Sequence, residues 1–312
     1  MIRTAPRLWW IVVGITVLTG LVYALWEVPQ VWTWRLAACA VLGLGIPHGA
    51  ADHQLFSVLY ADRYGRSATR RFYVAYLGAM LLVALGWWLL PQLTLCVFVG
   101  LSAYHFGQAN FSYLPQEMWL TRLLSFNWGL WVILSPVYWH WDSAAPIVET
   151  LWRSGLSGSL LVWVEVLWLC NSLFLGGLII GLYGVLPWRD WLKESLSLGV
   201  LAVSFYVTPL LLGFGLFFAL WHALPSAGDQ IRFFQAQREG YRWYHYWWAI
   251  VPFTGIAILS ILALGTYLET DVLLSDWWSV IFGAIAALTL PHMLILDKVY
   301  KKLEKEERME YN

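Results

Sequence analysis

The 312-residue chain contains nine apolar runs, each long enough or nearly long enough to cross a lipid bilayer as a helix. A hydrocarbon core about 30 Å thick needs about 20 helical residues. The runs lie near residues 8–26, 35–59, 72–90, 93–113, 123–140, 159–186, 196–224, 246–268 and 278–298. Charged residues make up only 12% of the chain, against roughly 25% in soluble domains. The chain is therefore predicted to lie in a lipid bilayer. It lacks the basic face that nucleic-acid binding requires.

A chain that crosses lipid must satisfy its own backbone hydrogen bonds, and the short connectors here leave no room for a soluble domain. We expect an all-α fold, a polytopic transmembrane bundle of about eight to ten helical segments. Residues 1–300 are predicted to form this single domain, and residues 301–312 a charged cytoplasmic tail. The first apolar run has no small-x-small cleavage site, so we expect it to be retained as a transmembrane helix.

The basic residues of the connectors predict the orientation of the bundle. Arginines and lysines collect in alternate connectors, as the positive-inside rule requires, but the alternation fails after the run 196–224. Proline lacks an amide proton, so Thr208-Pro209 would interrupt that run. We therefore expect a broken or re-entrant element near Pro209 and a multi-pass protein of the cell inner membrane with both termini in the cytoplasm.

Four apolar runs each carry a histidine at depth, in the strings "PHGAADH", "SAYHFGQAN", "FALWHALPSAGDQ" and "TLPHMLILD". A single buried imidazole could simply bond a neighbouring helix, but four on different helices indicate a shared site, because ionisable groups in membranes face the bundle interior. Imidazole nitrogen is a common ligand of iron, copper and zinc, and an all-histidine set without thiolates suits ferrous iron and dioxygen chemistry. The candidate ligands are His48, His105, His222 and His292.

Polar residues follow these histidines closely, and a ligating histidine usually donates its second N–H to such a group. Asp52 lies four residues after His48, on nearly the same helical face, and is the expected partner of its second nitrogen. The other candidates are Gln108, Ser226, Asp229 and Asp297. His53 points about 140° away from His48 on an ideal helix, so it joins the site only if Pro47 or Gly49 distorts that helix.

Some of the 23 tryptophans mark the ends of spans, whereas others fall deeper in the apolar runs. Among the deeper ones are Trp128, Trp131 and Trp221, which either pack in the core or line an apolar ligand cavity; core packing is the favoured interpretation for each one alone. Together with Phe106 they are the candidates for contact with an apolar substrate.

In this order the strings "GIPHGAADH", "SAYHFGQ", "FALWHALPSAGDQ" and "PHMLILD" resemble the Brp/Blh family of membrane-bound β-carotene 15,15′-dioxygenases, across nearly the whole chain. The resemblance implies a ferrous-iron oxygenase domain that adds dioxygen across the central double bond of β-carotene and releases two all-trans-retinals. It implies Fe²⁺ as cofactor, β-carotene and dioxygen as partners, and a functional link to a retinal-binding rhodopsin. The iron ligands carried over from the family motifs are His48, His105 and His222.

The chain departs from the family pattern at two positions. Many members have H-x-x-x-H late in the chain, whereas Ser226 stands here at the second place, and Asn110 replaces an acidic residue that often follows HFG. The site has either three imidazoles or a fourth from elsewhere, with His292 the first choice and His53 the second. A remodelled site could accept another carotenoid or an apocarotenoid, or bind carotenoid without cleaving it.

Two other classes of protein compete with an oxygenase. Paired histidines on facing helices could ligate haem in an electron-transfer protein. A transporter with a proton relay is disfavoured, because the runs hold few carboxylates and show no clear inverted repeat.

Overall fold

The computed structural model describes residues 6–153, 159–267 and 274–310, and these ranges are almost wholly helical. No β-strand occurs in them, which confirms the predicted all-α class. The α-helices are α1 (Pro6–Leu25), α2 (Gln30–Ala40), α3 (Asp52–Leu59), α4 (Ala61–Tyr64), α5 (Ala68–Leu89), α6 (Pro91–Asn110), α7 (Trp119–Trp139), α8 (Trp141–Trp152), α9 (Ser159–Gly181), α10 (Trp188–Val207), α11 (Leu210–Leu216), α12 (Leu224–Gln237), α13 (Trp243–Tyr267) and α14 (Leu274–Glu310).

Six helical stretches in the described part of the chain are long and apolar enough to cross a membrane, as expected for a multi-pass protein. They are Arg7–Leu25, Ala68–Leu89, Leu160–Gly181, Leu210–Gln237, Trp243–Leu264 and Trp277–Lys305. In the fourth and sixth stretches 61% and 50% of the most apolar window is buried, against 6 to 17% in the others. The stretches from α11–α12 and α14 therefore form the centre of the bundle, and α1, α5, α9 and α13 form its lipid-facing periphery.

The predicted break near Pro209 is present. Helix α10 ends at Val207, and Thr208 takes an extended backbone conformation (φ −94°, ψ 143°) before α11 begins at Leu210. Pro209 has no amide proton to donate to the Phe205 carbonyl, and that carbonyl accepts instead from His140 Nε2 at 2.8 Å. The buried Thr208 hydroxyl and the Thr208 amide both donate to the Ser204 carbonyl, at 2.6 and 2.9 Å. From Leu210 the chain is then helical without a break to Gln237.

Two wide, π-helical segments interrupt the regular helices of the interior. These are π1 (Val41–Gly45) and π2 (Phe217–Ala223), and each ends shortly before a proline, Pro47 or Pro225. A proline leaves the carbonyl four residues earlier without its amide partner, and a wider turn re-satisfies the backbone. In π1 the Ile46 amide accordingly donates to the Val41 carbonyl, five residues back, at 2.8 Å. The run 35–59, predicted as one helix, is thus divided.

The two π-helical segments lie against each other. A side chain on Gly45 would collide with the Phe218 ring, so only glycine allows this approach. Contacts of this kind between small and large residues are typical of close helix packing in membranes. The approach brings His48, just after π1, next to His222 in π2.

Helices α6 and α7 pack backbone against backbone. A Cβ on Gly107 would collide with the carbonyl of Ser125, and one on Gly129 with the carbonyl of Ala103. Small residues at a helix interface permit such an approach. Since His105 lies between Ala103 and Gly107 on α6, the packing holds this histidine at a defined depth and rotation.

The charged residues from position 301 onward continue α14 as helix through Glu310. Lys301 donates to Asp297 and Lys302 to the Gln237 side chain, at 2.8 and 2.9 Å. The backbone amide of Gln116 donates to the Glu304 carboxylate at 3.2 Å. The segment predicted as a tail is therefore held, up to Glu304, against α12 and the α6–α7 connector.

Replacing Gly107 with alanine should destabilise the protein, because the added methyl group meets a backbone carbonyl that cannot rotate away. Overpacking of this kind costs roughly 1–3 kcal/mol, so we expect the melting temperature in detergent to fall by about 2–5 °C. Gly100→Ala, on the same helix and facing open space, is the matched control. Equal melting temperatures for the two variants would contradict the close α6–α7 contact.

Candidate metal centre

Four histidine rings meet in the interior of the bundle. His48, His105, His222 and His292 are 7, 2, 2 and 4% exposed, although they come from four separate parts of the chain. The ring centroids lie 4.8 Å apart for His48–His292, 5.1 Å for His48–His222, 4.8 Å for His105–His222 and 5.2 Å for His105–His292. The rings thus form a closed circuit, named here the four-histidine cluster. Ligand atoms of its first three members all lie within 4.8 Å of one another.

Two of the four rings are oriented by hydrogen bonds to the protein. His48 donates from Nδ1 to the carbonyl of Gly45, and His292 donates from Nδ1 to Asp52 Oδ1 at 2.8 Å. Each bond fixes the tautomer and leaves the Nε2 lone pair available as a ligand.

The other ring nitrogens of the cluster lack hydrogen-bond partners among the described residues, which bears on whether the cluster can bind a metal ion. His48 Nε2, His292 Nε2 and both nitrogens of His105 and His222, six atoms in all, are buried and have no hydrogen-bond partner in the described part of the chain. Buried polar atoms are nearly always partnered, and leaving one bare in a low-dielectric interior costs several kcal/mol. Neutral imidazole nitrogens that converge in this way suit iron, copper or zinc. The residues therefore fit a metal ion.

Asp52 does not pair with His48, as the spacing of four residues led us to expect. It accepts from His292 on α14 and from the Tyr76 hydroxyl on α5, the latter at 2.9 Å. The reason is local: a 3₁₀ turn covers Pro47–Gly49 and α3 begins only at Asp52, so the two side chains do not share a regular helical face. Asp52 still orients a ring of the cluster, but a different one.

Gln108 and Asp297 also have partners other than the histidines they follow. Gln108 donates to Asp297 at 3.1 Å, and Asp297 also accepts from Lys301. Asp297 follows His292 by five residues, which is about 140° around an ideal helix, so its carboxylate points away from the cluster. These polar groups join α6 to α14 beside the cluster.

Asn110 and Asp229, two of the other polar candidates, pair with residues outside the cluster. Asn110 donates to Glu194 on α10 at 2.9 Å, and Asp229 forms an ion pair with Arg232. Ser226 is 1% exposed, and its hydroxyl faces the buried Tyr300 hydroxyl on α14.

His53 lies apart from the cluster. Its Nδ1 bonds the Ala50 carbonyl at 3.1 Å, and its half-buried ring lies 4.1 Å from Phe253 and 6.4 Å from Phe72. The 3₁₀ turn at Pro47–Gly49 changes the helix locally but does not rotate His53 inward. The fourth ring beside the other three is His292.

Aromatic side chains form an apolar wall on one side of the cluster. Phe106 lies 4.7 Å and Phe218 5.8 Å from the His222 ring, and Phe217 lies 5.3 Å from Phe106. Of the predicted substrate contacts, Phe106 touches the cluster. Trp128 packs behind it against Phe217.

The other two predicted tryptophans contact neighbouring helices, and Trp221 also lines a cavity beside His222. Trp131 lies 6.2 Å from Phe205, and Trp221 donates to the Thr16 hydroxyl at 2.9 Å. Sequence reasoning missed Phe217, Phe218 and Tyr76. The string "FFALWH" places the two phenylalanines near His222, but no local signal marks Tyr76, whose partner lies 24 residues away.

Fold and site together define a class: a multi-pass helical membrane protein with a buried four-imidazole cluster that could hold a transition metal. A model of the Beta-carotene 15,15'-dioxygenase family matches residues 39–300, a range that includes the whole cluster, and the chain belongs to this family. A beta-carotene 15,15'-dioxygenase from an uncultured marine bacterium, 66A03, is 24% identical over 278 residues, covering 85% of this chain and 93% of that protein. No solved structure matches the chain significantly.

Replacing Asp52 with alanine should weaken metal binding, because the His292 ring loses the acceptor that orients it. Loss of such a partner typically costs about 10–100-fold in metal affinity, measured here by Co²⁺ titration against a competing chelator. In Tyr76→Phe the bond between Asp52 and His292 remains, so this variant should lose less metal affinity. Asp62→Ala, which changes an exposed residue of α4, should not change the affinity. An unchanged Co²⁺ affinity in the Asp52 variant would contradict this role.

Proposed function

We propose that this protein cleaves the central double bond of β-carotene with dioxygen to give two molecules of all-trans-retinal. Fe²⁺ is the proposed cofactor, held by His48, His105, His222 and His292. The observation that carries the proposal is the buried cluster of four imidazoles with six unpartnered nitrogens, in a chain that belongs to this dioxygenase family. The name of the relative from 66A03 supports the choice of β-carotene.

The metal ion would supply activation of dioxygen, and the protein supplies the ligands and their orientation. His48 and His292 are held by the Gly45 carbonyl and by Asp52, so their free nitrogens are presented to the centre of the cluster before a metal binds. Thiolates are remote from the cluster, since the three cysteines are exposed. An all-nitrogen donor set of this kind agrees with iron and argues against an iron–sulfur cluster.

The overall reaction needs no protein acid or base. The central C=C bond breaks, each of its carbons takes one oxygen atom from the same O₂ molecule, and two aldehydes form without an added reductant or a net proton. The carboxylate nearest to the cluster, Asp52, is engaged with His292 and Tyr76. What the chain must provide is a dry surface that positions the polyene, and Phe106, Phe217 and Phe218 beside His222 supply it.

The location follows from the substrate. Carotenoids dissolve in the bilayer, so an enzyme with a buried centre meets its substrate there. We place the protein in the cell inner membrane with both termini in the cytoplasm, where the basic connectors face. Its retinal would supply a retinal-binding rhodopsin.

A haem protein fits the geometry less well. A porphyrin needs an open plane between its two axial histidines, but here each ring of the cluster has two further imidazoles about 5 Å away, edge to face. Another carotenoid or an apocarotenoid would use the same centre, and the product distinguishes these substrates.

Expression of the chain in a β-carotene-accumulating bacterium should bleach the cells and yield retinal, measured by chromatography of extracted pigments. His105→Ala should abolish both changes, and His53→Ala, outside the cluster, should keep them. Retinal as the sole aldehyde indicates central cleavage, whereas longer apocarotenals would indicate another bond. Orange cells that contain folded protein would contradict β-carotene as the substrate.

The ligand set predicts which variants lose iron. Alanine in place of any of the four histidines of the cluster should lower the iron content of the purified protein, measured by mass spectrometry of the metal, because each ring supplies a nitrogen ligand. His53→Ala and His245→Ala serve as matched controls and should retain it. Full iron content in His292→Ala would reduce the site to three histidines.

A further inference from the structure

The cluster lies at a boundary between an apolar half and a polar half of the bundle. In all four strings the residues before the histidine are almost wholly apolar, as in "LGLGIP" and "GLFFALW". Polar residues follow it after three to five positions, which is about 5–8 Å along a helix at 1.5 Å per residue. They include Asp52, Gln108, Ser226 and Asp297. The aromatic wall before His222 and the polar groups after it thus lie on opposite sides of the centre.

A cavity of about 50 Å³ lies in the polar half, and His222 is part of its lining. The rest of the lining comes from the N-terminal parts of α1 and α10, the C-terminal end of α6 and the residues that follow it, Leu220 and Trp221 of π2, and the start of α12. Apolar side chains of α1 and π2 cover part of the cavity, and its polar groups come mainly from α6, α10 and α12. A water molecule needs about 10–15 Å³ by this measure, so the cavity has room for a few waters and is far too small for a C40 carotenoid. His222 is 2% exposed and has two nitrogens without a partner in the described chain.

The groups along this cavity suit a hydrated cation. Two buried carboxylates line it, Glu194 and Asp229, which are 3% and 4% exposed. Glu194 accepts from the Asn110 amide at 2.9 Å and from the Tyr113 hydroxyl at 3.1 Å, and these two residues also line the cavity. Carboxylate, amide and hydroxyl oxygens replace water around divalent cations. Lys193 also lines the cavity, and its positive charge would repel a cation.

We propose that this cavity is the route by which a divalent first-row metal ion reaches the four-histidine cluster, with Glu194 as the carboxylate that attracts it. The inference rests on the metal centre proposed above. A bare or hydrated cation cannot pass through lipid or through the aromatic wall at acceptable cost, and no ring of the cluster is more than 7% exposed. The ion therefore needs a polar path, and this cavity leads to a ligand.

Metal exchange in the full-length protein tests the route. The detergent-solubilised protein is loaded with Co²⁺ and mixed with excess EDTA, and the loss of the Co²⁺–imidazole absorption is followed in time. Removal uses the same path as loading, by microscopic reversibility. Since a charge focused in a cavity changes ion association rates by about 10–10³-fold, Glu194→Gln should slow both removal and reloading about tenfold. The amount of Co²⁺ bound after complete loading should equal that of the wild-type protein, because Glu194 is not a ligand.

Three further variants separate a route from a structural effect. Lys193→Gln should speed exchange, because it removes a repelling charge, whereas a general disturbance of α10 would act in the same direction as Glu194→Gln. Ala109→Phe narrows the cavity without a change of charge and should slow exchange. Glu149→Gln, exposed on α8, should exchange at the wild-type rate.

Wild-type exchange rates in both Glu194→Gln and Ala109→Phe would overturn the route and leave the metal centre standing. Slower exchange in both Glu194→Gln and Lys193→Gln would also overturn it. Failure of the wild-type protein to bind Co²⁺ or Fe²⁺ would overturn the metal centre itself, and the route with it. If Ala109→Phe does not fold, the opposite signs expected for the Glu194 and Lys193 variants decide the question.

Discussion

An imidazole ring buried in a membrane needs a partner for each polar nitrogen, and this protein buries four such rings within about 5 Å of their neighbours. The segments that depart from regular α-helix lie next to these histidines. π1, the 3₁₀ turn at Pro47–Gly49 and π2 bring His48 and His222 to the centre. Irregular backbone is tolerated at membrane depth only inside protein or beside a cavity, and these segments meet that condition because most of their residues, including both histidines, are buried in the bundle.

The sequence predicted those features that depend on local chemistry. Nine apolar runs indicated the helical class, Thr208-Pro209 indicated the break, and the cost of a polar ring in hydrocarbon indicated that the histidines share a site. Hydrogen-bond partners were predicted less well, because the spacing argument for Asp52 assumed a regular helix where a 3₁₀ turn occurs. The bond that Asp52 makes to His292 joins residues 240 positions apart, and only the packed bundle reveals such a pair.

The sequence ranked His292 before His53 as a possible fourth ligand, because His53 lies about 140° from His48 on an ideal helix. In the structure the His53 ring packs on Phe253, outside the cluster. In the proposed site the fourth imidazole comes from α14, and Ser226 stands where many family members have a histidine on the same helix as His222. Through Asp52 and Tyr76, this fourth imidazole is tied to α3 and α5 as well. A bound metal would thus join α14 to the helices that carry the other three rings.

The division of the bundle at the cluster separates two tasks that conflict chemically. A carotenoid needs a dry, apolar surface, whereas a metal ion needs oxygen ligands and water until it reaches its nitrogens. His222 stands between the two, with Phe106 and Phe218 on one side and the cavity that Glu194 lines on the other. In the proposed enzyme His222 would therefore separate the two surfaces, so that water accompanying the ion would be kept from the polyene, and the apolar wall could stay closed while the metal is exchanged.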